Sequence, residues 1–240
     1  MHVQFGGKYS DAVEVLESAE LAEITDGEII VHGPDVDTVA AGDAAPLGVH
    51  VRVAGRKMKT DFEGILERQM HRYCNHAMGF MHTGQRDQIW CRFSNTAVES
   101  GLRLKHIGTI LHAKLHDEYG GIVDKVAVTI SSVPEQVAEL VQHAQPIYRN
   151  RDERVAGMTD ESVDTFYDFT LCQSFAPTHV CVVTPERLGL CGAYNWLDCK
   201  ASNRINPTGP NQPIAKGECV DPELGYWTGT QDTALSNSQG

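Results

Sequence analysis

Three stretches of the chain alternate apolar with polar residues. Val49, Val51 and Val53 alternate with His50 and Arg52, and Ile89, Cys91 and Phe93 alternate with Trp90 and Arg92; Val126, Val128 and Ile130 repeat the pattern. A period of two predicts strands with one buried face, so Arg52 points away from the core and Trp90 and Arg92 share one side. A further strand is expected over Glu28–Val31, between the Asp26-Gly27 turn signal and the Gly33-Pro34 stop. Helical spacing appears elsewhere. Thr60-Asp61-Phe62-Glu63 has capping-box form and predicts a helix that uses Ile65, Leu66, Met70, Tyr73 and Ala77, carries Arg68 and Arg72 on its other face and stops at Gly79. A second helix is predicted over Leu104–Tyr119, with Ile107, Ile110, Leu111 and Leu115 as its stripe, ended by Gly120-Gly121. Ser132 and Pro134 open a third, with Val137, Leu140, Val141 and Ala144 inward. The first 25 residues are weakly patterned and read as a short helix from Val13 to Leu21, whereas Ala40–Pro46 reads as a loop.

Strands separated by helices of this length imply an α+β fold, with one sheet covered by helices. At 240 residues and 41% hydrophobic content the chain holds enough apolar material for two domains. The boundary is expected near Asn150, where the charged run Arg149–Arg154 either forms the junction or extends the third helix past Pro146. The domains expected are thus 1–150, a layered α+β unit, and 151–240, a loop-rich unit.

Charge changes this picture locally. The net charge is −12, yet Arg52 to Lys105 carries ten Lys and Arg against five Asp and Glu. An acidic chain is not held to nucleic acid by general attraction, and the apolar runs fall short of the ~20 residues that cross a bilayer. The basic segment, with Arg52, Arg56, Lys57, Lys59, Arg68, Arg72, Arg86 and Arg92, reads either as a phosphate-binding surface or as a solvated face. His112 and His116, four apart on the second helix, have the spacing of a metal chelate and equally that of two partly solvated histidines.

The cysteines carry the strongest chemical signal. Five of seven lie in the 52 residues from Asp168 to Cys219, and Cys74 and Cys91 are alone before them. An odd count without an export signal argues against a disulfide framework, leaving thiolate ligation of a metal or reduced, buried thiols. Cys172, Cys181 and Cys191 are separated by eight and nine residues, too far for the knuckle of a zinc ribbon. Such gaps need stiff loops, and Pro177, Pro185, Gly189, Gly192, Pro207, Gly209, Pro210 and Pro213 supply them. Loops wrapped round an iron–sulfur cluster or zinc fit this region better than a regular layer. Cys199 and Cys219 read as packing thiols or as substitute metal ligands, His179 as a donor to a cluster sulfur or a shaper of its loop, and Glu186-Arg187 as an ion pair.

CQSFAPTHVC, VVTPERLGLCGAYNWLDCKA and INPTGPNQPIAKGEC closely resemble the cluster-binding domain of the CO-methylating acetyl-CoA synthase family, the partner of carbon monoxide dehydrogenase. RLKHIGTILHAKLHDEYGGIVDKVAVTI and ERVAGMTDESVDTFYDFTLC extend the resemblance, which runs roughly from Gly27 to Trp227. It implies a 4Fe-4S cluster bridged through a cysteine sulfur to one of two nickel ions. There a methyl group from a corrinoid iron–sulfur protein, carbon monoxide and the thiol of coenzyme A become acetyl-CoA, or the reverse, in an anaerobic cytoplasm. By position, Cys172, Cys181 and Cys191 match three cluster ligands, Cys172 the bridging one; Phe175 matches an aromatic residue beside the proximal metal and Trp90 one lining the same cavity. The resemblance also points to a coenzyme A site, for which Arg52, Arg56, Lys57, Arg68, Arg72 and Arg86 are the candidates. Two departures accompany it. The family's first cluster cysteine falls on Phe169, and its downstream Cys-Gly-Cys nickel ligands have no counterpart before Gly240. The expectation is a fragment or degenerate copy with little activity alone, either a three-cysteine cluster in which water, Asp168 or an outside ligand completes the fourth iron, or a metal-free scaffold. The polar end, TGTQDTALSNSQG, is expected to be frayed or unrelated to the family.

Overall fold

Strand Leu47–Ala54 lies inside a four-stranded sheet, and its valines explain why: Val49, Val51 and Val53 are at most 3% exposed. The computed structural model describes residues 2–7, 10–75, 80–83, 86–171, 176–190 and 194–238, in two units, Met1–Asn150 and Arg151–Gly240.

In the first unit the order is β1 (Val3–Gly6), β2 (Ala12–Ser18), β3 (Ile29–His32), β4 (Ala44–Ala45), β5 (Leu47–Ala54), α1 (Glu63–Asn75), β6 (Phe80–Thr83), β7 (Trp90–Phe93), α2 (Asn95–Glu99), α3 (Lys105–Tyr119), β8 (Lys125–Ser131) and α4 (Pro134–Glu153). These strands form two sheets rather than the one expected. In β2-β5-β8-β3 the outer pairs are parallel and β5 runs antiparallel to β8; β4-β1-β7-β6 is the second sheet. The alternation in β7 holds, with Ile89, Cys91 and Phe93 fully buried and Trp90 and Arg92 on the other side.

The helix expected over Val13–Leu21 is instead β2, followed by a 3-10 turn at Leu21–Glu23. Ala12 through Leu16 are all buried, so both faces of this strand are covered and no alternation is visible in the sequence. Val13 and Val15 pack with Val137, Ala144 and Tyr148 of α4. The expected capping box at Thr60 is replaced by a 3-10 turn over Thr60–Phe62. The Glu63 carboxylate accepts from the Ser18 backbone N–H at 2.8 Å and from the Ser18 hydroxyl, tying α1 to the end of β2. Ala77 and Gly79 lie outside the described residues. Helix α4 continues through Pro146 to Glu153, taking in most of the charged run.

The second unit contains β9 (Thr165–Phe169), β10 (Cys181–Val183), α5 (Trp196–Ile205), β11 (Pro213–Ala215), β12 (Cys219–Asp221), β13 (Tyr226–Trp227) and α6 (Thr228–Ser238). Within this loop-rich unit, β10-β9-β11 is an antiparallel sheet. Phe166, Val183, Trp196, Cys199 and Trp227 are its main buried groups. Helix α5 starts at a reciprocal capping box, with Asp198 N–H donating to Asn195 Oδ1 at 2.9 Å and Asn195 N–H to Asp198 Oδ2 at 3.0 Å. The polar end expected to fray is helical, and its Gly229 packs against the Ala215 carbonyl too closely for a side chain.

Candidate metal centre

The pairing of β9 with β10 brings Phe169 directly opposite Cys181. Cys181 is half-buried, and its sulfur has two polar neighbours, His179 Nε2 at 3.2 Å and the Leu190 backbone N–H at 3.4 Å. The segment between Cys181 and Leu190 is held by a tight turn, with Thr184 and Arg187 exchanging backbone hydrogen bonds at 3.0 and 3.2 Å. Glu186 and Arg187 do not pair with each other among the described residues. Glu186 meets Asp160 through backbone and side chain, while the Arg187 guanidinium donates to the Leu224 carbonyl. Leu188 and Leu190, 53% and 83% exposed, leave an apolar rim beside the cysteine loop.

Cys172, Phe175 and Cys191 lie outside the described residues. The resemblance puts the family's first cluster cysteine at position 169, where this chain has Phe169. Its ring is 3% exposed and stacks on Tyr194 with centroids 4.3 Å apart. Residues directly opposite in an antiparallel pair hold their Cβ atoms ~4.5–5.5 Å apart, so the phenyl ring occupies the place beside Cys181 where a thiolate would stand. The described residues therefore fit a thiolate site at Cys181 and do not fit a complete four-cysteine set. Asp168, considered as a substitute ligand, belongs to the opposite face of β9, since successive strand residues alternate. Its Oδ1 accepts the Gln212 N–H at 2.7 Å, and burial raises its carboxyl pKa.

The remaining cysteines divide by environment. Cys74 and Cys91 are buried, and desolvation followed by the charge of Glu14 pushes the Cys74 thiol well up; burial also pushes the Cys91 thiol well up. Both are neutral packing groups. Cys199 is fully buried and accepts from Asn211 Nδ2 at 3.3 Å, as a packing thiol should. Cys219, expected to be another, is exposed on the β12-β13 hairpin.

The basic candidates are spread over several elements and most are engaged. Arg56 donates to Asp124 at 3.2 Å, Arg72 to Glu118 at 2.9 Å, and Arg86 to Glu67 at 2.9 Å with its guanidinium 4.8 Å from the Tyr148 ring centre. Arg86 is thus turned inward rather than offered to a phosphate. Arg92 bonds Gln4 Oε1 and covers the Trp90 ring. Arg68 sits half-buried on α1, while the side chains of Arg52 on β5 and Lys57 in the turn after it make no hydrogen bond among the described residues. Arg56 and Lys59 border an open cleft of about 560 Å³ that Glu20 and Glu23 also line. Sequence reasoning missed those two carboxylates because they lie on a different segment.

The sequence matches the family described as CO dehydrogenase/acetyl-CoA synthase complex beta subunit over residues 1–137, and the C-terminal family of the ACS/CODH beta subunit over residues 148–240. The second match takes in the polar end of the chain, which therefore belongs to the family, contrary to expectation. Carbon monoxide dehydrogenase/acetyl-CoA synthase subunit alpha of Moorella thermoacetica is 51% identical over 97% of this chain and 32% of its own length. Acetyl-CoA decarbonylase/synthase complex subunit beta of Methanopyrus kandleri is 44% identical over the whole chain and 51% of its own length. The protein of that name from Methanothermobacter thermautotrophicus is 42% identical over 100% of this chain and 52% of its length. The chain therefore spans about half the length of these archaeal relatives and a third of the bacterial one. No helix among the described residues is long and apolar enough to cross a membrane.

Proposed function

The chain belongs to the beta-subunit family of the CO dehydrogenase/acetyl-CoA synthase complex, and from that premise we propose that it serves acetyl-CoA synthesis or cleavage by carrying a cluster-binding pocket. The observation that carries this reading is the Cys181 sulfur, partly open and met by both His179 and the Leu190 N–H. Cys172, Cys181 and Cys191 would hold an iron–sulfur cluster, with Cys172 also reaching nickel. Such a centre, when bound, supplies soft metal sites for a methyl group and carbon monoxide.

The chain's own residues orient and enclose. His179 and the Leu190 N–H contact the sulfur and fix its direction, and the Thr184–Arg187 turn keeps the Cys181–Leu190 segment in register. Phe175 is proposed to shape the space beside the metal. The coenzyme A phosphates are assigned to the exposed basic turn at Arg56 and Lys57 with Arg52, rather than to the inward Arg86. A corrinoid iron–sulfur protein and a CO dehydrogenase subunit are the proposed partners, in an anaerobic cytoplasm where thiolates stay reduced.

Phe169 favours a second reading for the chain as it stands, a three-cysteine cluster with one labile iron. The test is anaerobic reconstitution with iron, sulfide and nickel, followed by metal counting and electron paramagnetic resonance, in parallel with Phe169→Cys. The expected result is about four irons in the variant and about three, easily lost to chelator, in the parent. Absence of iron from both would leave a metal-free scaffold and overturn the cluster reading.

A further inference from the structure

We propose that Asp26, His112 and His116 in the first unit form a binding site for a divalent first-row transition metal of the Zn2+ class. The two histidines stand one turn apart on α3 with ring centroids 4.5 Å apart. Both Nε2 atoms converge on the same oxygen, Asp26 Oδ1, at 3.1 Å for His112 and 2.9 Å for His116. All three ligand atoms lie within 4.8 Å of one another. Ligands about 2.0–2.1 Å from a tetrahedral ion are spaced by roughly 3.3 Å, so these contacts need to open only slightly to admit one.

The carboxylate is fixed before any metal arrives. Asp26 Oδ1 also accepts the Val126 N–H at 2.9 Å, and Gly27 N–H donates to the Val126 carbonyl at 2.9 Å. Gly27 adopts φ 74°, where a side chain would be strained and its Cβ would come within 3.6 Å of His112 Nε2. Each histidine side chain is 29% exposed and that of Asp26 43%, which leaves room for water as a fourth ligand. Two imidazoles and one carboxylate suit a borderline metal better than Mg2+ or Ca2+, which take oxygen ligands.

A related trio, Glu17, His50 and His143, draws its histidines from β5 and α4 and leaves His143 more exposed. It lacks the chelate from a single helix and serves as the comparison. The test uses the full chain, reduced and labelled with 15N-histidine, titrated with Zn2+ while long-range 1H–15N spectra are recorded. His112→Gln and His116→Gln assign the two rings. Both Nε2 resonances should move to metal-bound positions at stoichiometric Zn2+ and return with chelator. His50→Gln should leave that response unchanged, and Asp26→Asn should need on the order of tenfold more Zn2+ or higher. Rings that stay unchanged while zinc is taken up elsewhere, or an Asp26→Asn chain with the parent's circular dichroism and the parent's titration, would overturn the proposal. Because cysteines in the second unit do not move these resonances, failure here is distinct from failure of the cluster reading.

Discussion

Glu17 Oε2 lies 2.9 Å from His50 Nε2 and 2.7 Å from His143 Nε2. The His50 contact lowers the carboxyl pKa, desolvation opposes it, and His143 lowers it again, so that it falls from 4.5 to about 2. A depressed carboxyl contributes stability that is present above the unfolded pKa and is lost as pH falls through the folded one. Urea unfolding should therefore weaken between about pH 4.5 and 2, and Glu17→Gln should be less stable than the parent at pH 6 and converge with it only below about pH 2. Parallel curves at every pH would rule out Glu17 as a source of acid lability. At this scale the sequence reveals half of each arrangement. His112 and His116 are legible because they are four apart, whereas Asp26 is 86 positions away and only the fold brings it to them. Phe169 is legible as the wrong residue in a motif, yet its stacking on Tyr194 and its place opposite Cys181 depend on the β9-β10 register.

Helix α3 approaches β3 through Gly108. A Cβ at that position would lie 2.7 Å from Ile29 Cγ2. Alanine gains roughly 1 kcal/mol in helix propensity over glycine, while overpacking costs ~1–3 kcal/mol. The contact is to a branched carbon close to the backbone, so the cost should prevail. Gly108→Ala is expected to destabilise by about 1 kcal/mol, read as a lower urea midpoint with an unchanged slope; a raised midpoint would mean that Ile29 swings aside freely. The stripe of Ile107, Leu111 and Leu115 is readable from periodicity, but a glycine counts as neither apolar nor polar in that reading. Elements with one wet face, such as β5, β7 and α3, are legible for the same reason that they are amphipathic. Strand β2 is not, because burial on both faces erases alternation, and α6 is not, because a polar helix has no stripe to detect.

The charged run Arg149–Arg154 marks the junction in the sequence, but the helix carries on through it to Glu153. Pro146 removes one N–H, which frees the carbonyl of Gln142; both residues are exposed, so water satisfies that group and the helix is not forced to stop. Tyr148, 8% exposed, then anchors the last turns, its hydroxyl donating to the Glu14 carbonyl and its ring lying under Arg86. A chain of residues 1–154 should therefore unfold in one cooperative transition, whereas one cut after Asn150 ends two residues beyond Tyr148 and frays the turn that holds it. We expect the shorter chain to be less stable by about 1 kcal/mol in urea titrations, in proportion to the lost helical turn and the loosened tyrosine. Equal stability would place the structural boundary where the charge pattern puts it. The longer chain also separates the two metal chemistries: with Asp26, His112 and His116 present and Cys172, Cys181 and Cys191 absent, it should respond to Zn2+ and take up no iron–sulfur cluster.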